Sequence, residues 1–151
     1  MTHHRRRNNG IDPSKINETV ELSPAQRYAA FKQTQAKQRT VAAEFARSMP
    51  FELDEFQMQA NDALEAGDNV LVAAPTGAGK TVAADFAIYL AQTRNVKAFY
   101  TTPIKALSNQ KYHDLVDQYG TDKVGLLTGD TSINSEADIV VMTTEVLRNM
   151  L

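Results

Sequence analysis

Eight consecutive residues near the middle of the chain have the types and the order that bind a phosphate group. These residues are Ala74, Pro75, Thr76, Gly77, Ala78, Gly79, Lys80 and Thr81. Glycine gives a loop backbone conformations, and an approach to a ligand, that a side chain would obstruct. Backbone N–H groups and the start of a following helix would attract an anion, Lys80 would add positive charge, and the Thr81 hydroxyl could bind Mg²⁺. The stretch matches the phosphate-binding P-loop, with Ala74 in place of its first glycine, and predicts a site for a nucleoside triphosphate with Mg²⁺.

The segments around this loop alternate between strand-like and helix-like patterns. Apolar runs of strand length occur at residues 69–74, 96–102, 123–129 and 137–144, and the first of them is rich in valine. Apolar residues three and four positions apart predict helices at residues 54–67, 79–93 and 103–120. Gly67 would be the C-cap of the first of these helices. Such alternation predicts an α/β fold, a parallel sheet with helices on both faces, in which ligands bind at the carboxyl ends of the strands.

The first third of the chain differs from the rest in charge and in pattern. Residues 1–50 contain nine Lys or Arg against four Asp or Glu, whereas residues 51–151 contain seven against fourteen. Residues 1–22 have few apolar groups and are expected to form a disordered basic arm. A Ser-Pro pair then predicts the start of a single N-terminal helix over residues 23–50. The arm is compatible with nucleic-acid contact, although a charge run of this kind is more often simply solvated.

Composition limits the class of protein. The chain has 151 residues and no cysteine, which excludes disulfides and thiolate metal sites. No apolar run reaches the roughly 18 residues that span a bilayer, and the first ten residues lack the apolar block of a secretory signal. We therefore expect a soluble, cytoplasmic protein with no membrane partner.

Further motifs flank the loop in a fixed order: FELDEFQMQA at residues 51–60, YTTPIKALSNQK at residues 100–111, GLLTGD at residues 125–130 and VMTTEVLRNML at residues 141–151. Together with the P-loop, these stretches closely resemble the first half of the helicase core of superfamily 2, the DEAD/DEAH-box (DExH) helicases. Within it they resemble the superkiller-like RNA helicases, including the bacterial HelY-type proteins. The resemblance covers residues 51–151 and implies a RecA-like domain that uses ATP and Mg²⁺.

The resemblance gives roles to residues at the nucleotide site. It implies that Gln57 is the adenine-reading glutamine of the Q motif, and that Phe51 stacks on the adenine ring or lies beside it. The chemistry agrees, because a glutamine amide offers a donor and an acceptor to the N6 and N7 edge of adenine. An amphipathic helix with an exposed glutamine is the alternative interpretation. Lys80 and Thr81 would be the catalytic contacts to the phosphates and to Mg²⁺.

Three short motifs would contact a single strand of RNA, or of DNA, by the same resemblance. The residues implied are Thr102, Pro103, Lys105, Thr128, Gly129, Thr143, Thr144 and Glu145. Thr102 and Pro103 also suit the N-cap and first position of a helix, whose N–H groups would themselves bind a phosphate. Taken singly, each later motif is equally compatible with a plain turn or helix cap.

The acidic DExH box of this family does not occur after Glu145. Asp130 follows an apolar run that Thr and Gly interrupt, so it is a poor substitute for the acid that holds magnesium. The second RecA-like domain, which in this family supplies an arginine finger and half of the nucleic-acid groove, is also missing from the sequence. We therefore expect the truncated N-terminal part of an ATP-dependent RNA helicase, poorly stable and without ATP hydrolysis on its own. The alternatives are a DNA helicase or translocase, and a P-loop scaffold that binds nucleotide without hydrolysing it.

Overall fold

The computed structural model describes residues 22–151, and the chain divides into two units, residues 1–37 and 38–151. The predicted basic arm lies outside the described residues, apart from Leu22. The elements in chain order are α1 (Pro24–Gln38), α2 (Val41–Ser48), α3 (Glu55–Ala66), α4 (Thr81–Thr93), β1 (Ala98–Thr102), α5 (Lys105–Tyr119), β2 (Val124–Leu127), β3 (Ser132–Ile133), β4 (Ile139–Thr143) and α6 (Thr144–Met150). None of the helices in this described part is long and apolar enough to cross a membrane.

Helix α1 begins where the Ser-Pro pair predicts. The Ser23 Oγ accepts a hydrogen bond from the Gln26 N–H group at 3.3 Å, and the Gln26 Oε1 accepts one from the Ser23 N–H group at 2.8 Å. This reciprocal pair is a capping box, which satisfies N–H groups that have no partner inside the helix. The prediction of the helix start is confirmed.

The single N-terminal helix expected from the sequence is wrong, because a second helix, α2, starts after a break. The Thr40 hydroxyl accepts a hydrogen bond from the Ala43 N–H group at 3.1 Å. The carboxylate of Glu65, in α3, accepts hydrogen bonds from the N–H groups of Val41 at 3.0 Å and Ala42 at 2.8 Å. In a continuous helix these N–H groups would bond to carbonyls of the preceding turn. Here side chains satisfy them instead, which stabilises a new N-terminus.

The four strands form one sheet in the order β1-β4-β2-β3. Strands β1, β4 and β2 are parallel, and β3 pairs antiparallel with β2. The register places Thr102 beside Thr143 and Leu127 beside Met142, so the carboxyl ends of the parallel strands meet at one edge. The predicted α/β class is confirmed. The sheet is mixed rather than wholly parallel, because β3 pairs antiparallel with β2. The sequence pattern did not predict β3, because a two-residue strand is too short to be recognised.

Strand β4 lies at the centre of the core, and all five of its residues are buried. Its continuous apolar run suits a parallel strand that is covered on both faces. Ile139 and Val141 pack against α4 and α5, whereas Val140 and Met142 pack against α6. The helices therefore cover both faces of the sheet, as the alternating pattern predicts.

The strand predicted at residues 69–74 is not formed. None of the strands in residues 22–151 pairs with this segment, and its Leu71 is 94% exposed. A cavity of about 400 Å³ lies between the segment and α3. An apolar, valine-rich run reports the tendency of a segment to form a strand, but a strand also needs hydrogen bonds from a neighbour. The prediction failed because the local pattern contains no information about that neighbour.

A second apolar cluster joins α2 to α4. Phe45 and Phe86 are fully buried in it, and their rings meet edge to face with centroids 5.3 Å apart. Val41 and Met49 pack at its margin, so the apolar stripe of α2 faces this cluster. Gly67 ends the neighbouring helix α3 with a left-handed φ of 94°, which confirms it as the C-cap. The cluster fixes the position of α4, and the predicted P-loop runs directly into that helix.

Candidate functional site

The phosphate loop, residues 74–81, has the backbone geometry that its glycines allow. Gly77 and Gly79 have φ values of 84° and 77°, and the Ala78 N–H group closes a turn on the Pro75 carbonyl at 3.2 Å. Such positive φ values are unfavourable for residues with a side chain. Ala74 is not among the positive-φ residues of the described chain. Its place at the first glycine of the pattern is therefore sterically acceptable.

The loop presents unpaired hydrogen-bond donors at the start of α4. The N–H groups of Gly79, Lys80 and Thr81 have no hydrogen-bond acceptor among the residues that the structure describes. The first turn of α4 contains no acidic residue. Free N–H groups at a helix N-terminus carry partial positive charge and bind anions. These groups fit a phosphate.

Lys80 and Thr81 are both exposed at this helix start. The Lys80 Nζ donates a hydrogen bond to the Ala74 carbonyl at 2.7 Å, which folds the side chain back over the loop. A phosphate oxygen would compete with this carbonyl for the ammonium group. The Thr81 side chain lines a cavity of about 570 Å³. One hydroxyl fits Mg²⁺ only together with phosphate oxygens and water, which is the coordination that this ion prefers.

Gln57 links α3 to the phosphate loop. Its Oε1 accepts a hydrogen bond from the Asp54 N–H group at 2.8 Å, and its Nε2 donates to the Gly79 carbonyl at 3.0 Å. The side chain is only 4% exposed, so the exposed glutamine of the alternative interpretation is wrong. A Cβ atom at Gly79 would lie 2.6 Å from the Gln57 Nε2. The role of Gln57 in reading adenine stays a prediction, as does that of Phe51, which is half exposed.

The predicted nucleic-acid contacts lie in residues 102–105, 128–130 and 143–145, which together form the strand edge. Thr102, Thr128 and Thr143 are buried there. The Thr102 hydroxyl donates to the Ile104 carbonyl at 2.9 Å and lies 2.6 Å from the Ser108 hydroxyl. The Thr102 and Ser108 hydroxyls therefore bind the protein itself.

The predicted N-cap of α5 needs a correction. Helix α5 begins at Lys105 and its N-cap is Ile104, not Thr102. The hydroxyl of Thr102 points to its own loop and to Ser108, which satisfies this buried group locally. Thr143, in contrast, is the N-cap of α6, so a helix does begin at the last of the motifs.

The exposed part of the strand edge contains charged and backbone groups. Among the predicted contacts, the exposed residues are Pro103, Lys105, Gly129, Thr144 and Glu145. The Lys105 Nζ lies 2.5 Å from the Asp130 Oδ2, and the Thr128 hydroxyl donates to the Asp130 Oδ1 at 3.0 Å. The hydrogen bond from Lys105, and then that from Thr128, lowers the pKa of Asp130. Asp130 is thus held ionised at the surface as the partner of Lys105.

The ion pair between Asp85 and Lys111 was not predicted. The Lys111 Nζ lies 2.6 Å from the Asp85 Oδ1, and the pair joins α4 to α5 beside the cavity that Thr81 lines. Both residues stand in stretches that the sequence singles out, but 26 positions separate them. A single sequence contains no signal that pairs two charges so far apart.

Comparisons with known proteins show what the chain is similar to. Residues 54–151 match the family model described as DEAD/DEAH box helicase. The chain is 63% identical over 107 residues to "Probable helicase HelY" of Mycobacterium tuberculosis (strain ATCC 25618 / H37Rv). This match covers 71% of this chain and 12% of that protein. It is 55% identical over 106 residues to "Antiviral helicase SKI2" of Saccharomyces cerevisiae, and this match covers 70% of this chain and 8% of that protein.

A solved structure supports the fold. The structure described as a hypothetical ATP-dependent RNA helicase from Sulfolobus tokodaii matches with a TM-score of 0.53 and 29% sequence identity. The match covers 73% of this chain and 35% of that one. The chain thus spans only a small part of the length of the relatives that it matches. Since the family model covers well over half of the chain, the chain belongs to the DEAD/DEAH box helicase family.

Proposed function

We propose that the chain is the N-terminal part of an ATP-dependent RNA helicase that acts in the cytoplasm. It binds ATP at the phosphate loop and a single strand of RNA along the strand edge. One observation carries the proposal: three N–H groups at the start of α4 have no acceptor within residues 22–151, and they lie next to an exposed lysine in a loop whose glycines have positive φ. The name of the Sulfolobus tokodaii protein, an RNA helicase, supports RNA as the strand.

The phosphate loop holds the triphosphate by its backbone. The N–H groups of Gly79 and Lys80 donate to phosphate oxygens, and the ammonium group of Lys80 leaves the Ala74 carbonyl for the outer phosphates. The Thr81 hydroxyl is the ligand that this chain offers to Mg²⁺, an ion that neutralises charge on the phosphates when bound. None of these contacts distinguishes one base from another.

Adenine selection falls to Gln57 and Phe51. Each polar atom of the Gln57 amide already makes one hydrogen bond, which leaves one N–H hydrogen and one lone pair. This remaining donor and this remaining acceptor are what the N6 and N7 edge of adenine requires. Phe51 is half exposed and is the ring that stacks on the base or lies beside it.

The strand edge contacts RNA by its exposed members, with Lys105 on a phosphate and the N-terminal turns of α5 and α6 beside it. The buried threonines Thr102, Thr128 and Thr143 maintain the shape of this edge. The second RecA-like domain of the same protein completes the groove and supplies an arginine finger. Without that domain and the acidic DExH box, the 151-residue chain hydrolyses no ATP.

The test is phosphate release by the full-length protein with and without single strands. We expect ATP hydrolysis that single-stranded RNA stimulates more than single-stranded DNA of the same sequence, and that Lys80→Ala abolishes. If only DNA stimulated ATP hydrolysis, the protein would be a DNA helicase or translocase and not an RNA helicase. Nucleotide binding without hydrolysis, in the presence of either strand, would favour a P-loop scaffold. Hydrolysis by the purified 151-residue chain would contradict the need for further groups.

A further inference from the structure

The ion pair between Asp85 and Lys111 is short and partly shielded from solvent. The Lys111 Nζ lies 2.6 Å from the Asp85 Oδ1, with the two side chains 18% and 33% exposed. The same Nζ lies 5.3 Å from the centre of the Tyr100 ring. Partial burial lowers the effective dielectric constant around a pair and strengthens its attraction. The position of Lys111 is therefore fixed by a carboxylate and an aromatic face together.

Two other ion pairs of the described chain are more open. Lys97 and Glu136 lie 3.8 Å apart, and Glu136 is 93% exposed. Lys105 and Asp130 are both largely exposed at the strand edge. Exposed pairs contribute little to stability, since water and salt screen them. Only the pair of Asp85 and Lys111, among these three, connects two core helices.

The two helices that it connects carry the two proposed sites. Asp85 lies four residues after Thr81 in α4, hence one turn further along the same face, and both side chains line the cavity of about 570 Å³. Lys111 lies in α5, the helix that begins at Lys105 of the strand edge, and it lines the same cavity. A displacement of α4 at the phosphate loop would move Asp85, and Lys111 would move with its partner.

We propose that Asp85 and Lys111 are positioning residues, whose ion pair transmits nucleotide binding at the phosphate loop to the strand edge. This inference rests on the proposed function. The ion pair couples a displacement of α4 to α5 because each helix supplies one of the two charges. The two helices therefore shift together. Coupling between two binding sites is reciprocal, so the strand must change nucleotide affinity by the same factor as nucleotide changes strand affinity.

The test compares the coupling factor in variants of the full-length protein. The affinity for a single-stranded RNA oligonucleotide is measured with and without a saturating non-hydrolysable ATP analogue, by fluorescence anisotropy. In the parent protein we expect a factor of about 5 to 150, the usual range for coupled sites. The double variant Asp85→Asn, Lys111→Met removes both charges and leaves no buried charge unpaired. We expect it to bind each ligand alone within about threefold of the parent, with a coupling factor that falls to about one.

Two controls separate this role from a merely structural one. The double variant Lys97→Met, Glu136→Gln removes the exposed ion pair by the same chemistry and should retain the parent coupling factor. Asp85→Glu keeps the carboxylate and should retain most of it. Unchanged coupling in the Asp85, Lys111 double variant would overturn the inference while leaving the proposed function intact. Loss of both separate affinities would show a structural role, and a parent protein without coupling would overturn the proposed function as well.

Discussion

The phosphate loop and the strand edge were both predicted from motifs, yet they differ in which atoms are available to a ligand. The phosphate loop presents the N–H groups of Gly79, Lys80 and Thr81, which lack acceptors within the described residues. At the strand edge Thr102, Thr128 and Thr143 are buried, and the hydroxyls of Thr102 and Thr128 bind their own loops. A motif whose chemistry belongs to the backbone predicts the loop conformation directly, because positive φ values favour glycine. A motif made of threonine side chains can serve the fold instead.

At the phosphate loop, we expect Lys80→Ala to have the largest effect on nucleotide binding. The change deletes the one positive side chain at the loop and leaves the backbone donors in place. A charge-assisted hydrogen bond contributes about 1.5 to 3 kcal/mol, so nucleotide affinity should fall by about 10- to 150-fold. Titration of the full-length protein with a fluorescent ATP analogue measures this loss. Lys97→Ala, which removes an exposed lysine that bonds to the Ser135 carbonyl, is the matched control and should change nothing. Affinity within about twofold of the parent would contradict the assignment of the loop.

The two glycines of the loop separate backbone strain from contact with Gln57. Alanine at either position has an unfavourable positive φ, which costs about 1 to 2 kcal/mol. At Gly77 the added Cβ meets nothing within 4 Å, whereas at Gly79 it would lie 2.6 Å from the Gln57 Nε2. Gly79→Ala should therefore weaken nucleotide binding more than Gly77→Ala does. Equal losses in the same titration would show that the Gln57 contact does not shape the loop.

On the other side of the comparison, Thr102→Val tests whether a buried hydroxyl serves the fold. Valine keeps the shape of the side chain but removes the 2.6 Å contact with the Ser108 hydroxyl, which keeps only its 3.5 Å hydrogen bond to the Ile104 carbonyl. The free energy of unfolding should fall by about 1 to 3 kcal/mol, with strand affinity nearly unchanged. Thr101→Val, at the exposed neighbouring position, should cost less than about 0.5 kcal/mol. If Thr102→Val instead lowered strand affinity and left unfolding unaltered, the hydroxyl would be a direct contact.

The smallest effect concerns the ion pair of Lys105 and Asp130. Since the pKa of Asp130 is lowered, its ionised form stabilises the folded chain above the ordinary pKa of an aspartate, and this contribution is lost as the pH falls through the lowered value. Asp130→Asn should thus be slightly less stable than the parent at neutral pH. The difference in melting temperature should vanish in acid. A difference that persisted or grew in acid would mean that another group is responsible.

The successes and failures of sequence reasoning follow from the range of the interactions involved. Gly67, the Ser-Pro start of α1 and the loop glycines were predictable because a few neighbouring residues decide each of them. The segment 69–74 looked like a strand, but strand formation depends on a partner elsewhere in the chain. The hydrogen bonds of Glu65 to α2 and the pair of Asp85 with Lys111 join positions more than twenty residues apart, which local patterns cannot reveal.

The central claim is that the N–H groups of Gly79, Lys80 and Thr81 in the phosphate loop hold the phosphates of ATP. Hydrogen exchange of the full-length protein, followed by mass spectrometry, measures this directly because an N–H group that donates a hydrogen bond exchanges slowly. With Mg²⁺ and a non-hydrolysable ATP analogue, peptides that contain residues 77–82 should be protected, and adenosine alone should protect them far less. Equal protection by adenosine, or protection confined to other parts of the chain, would contradict the claim.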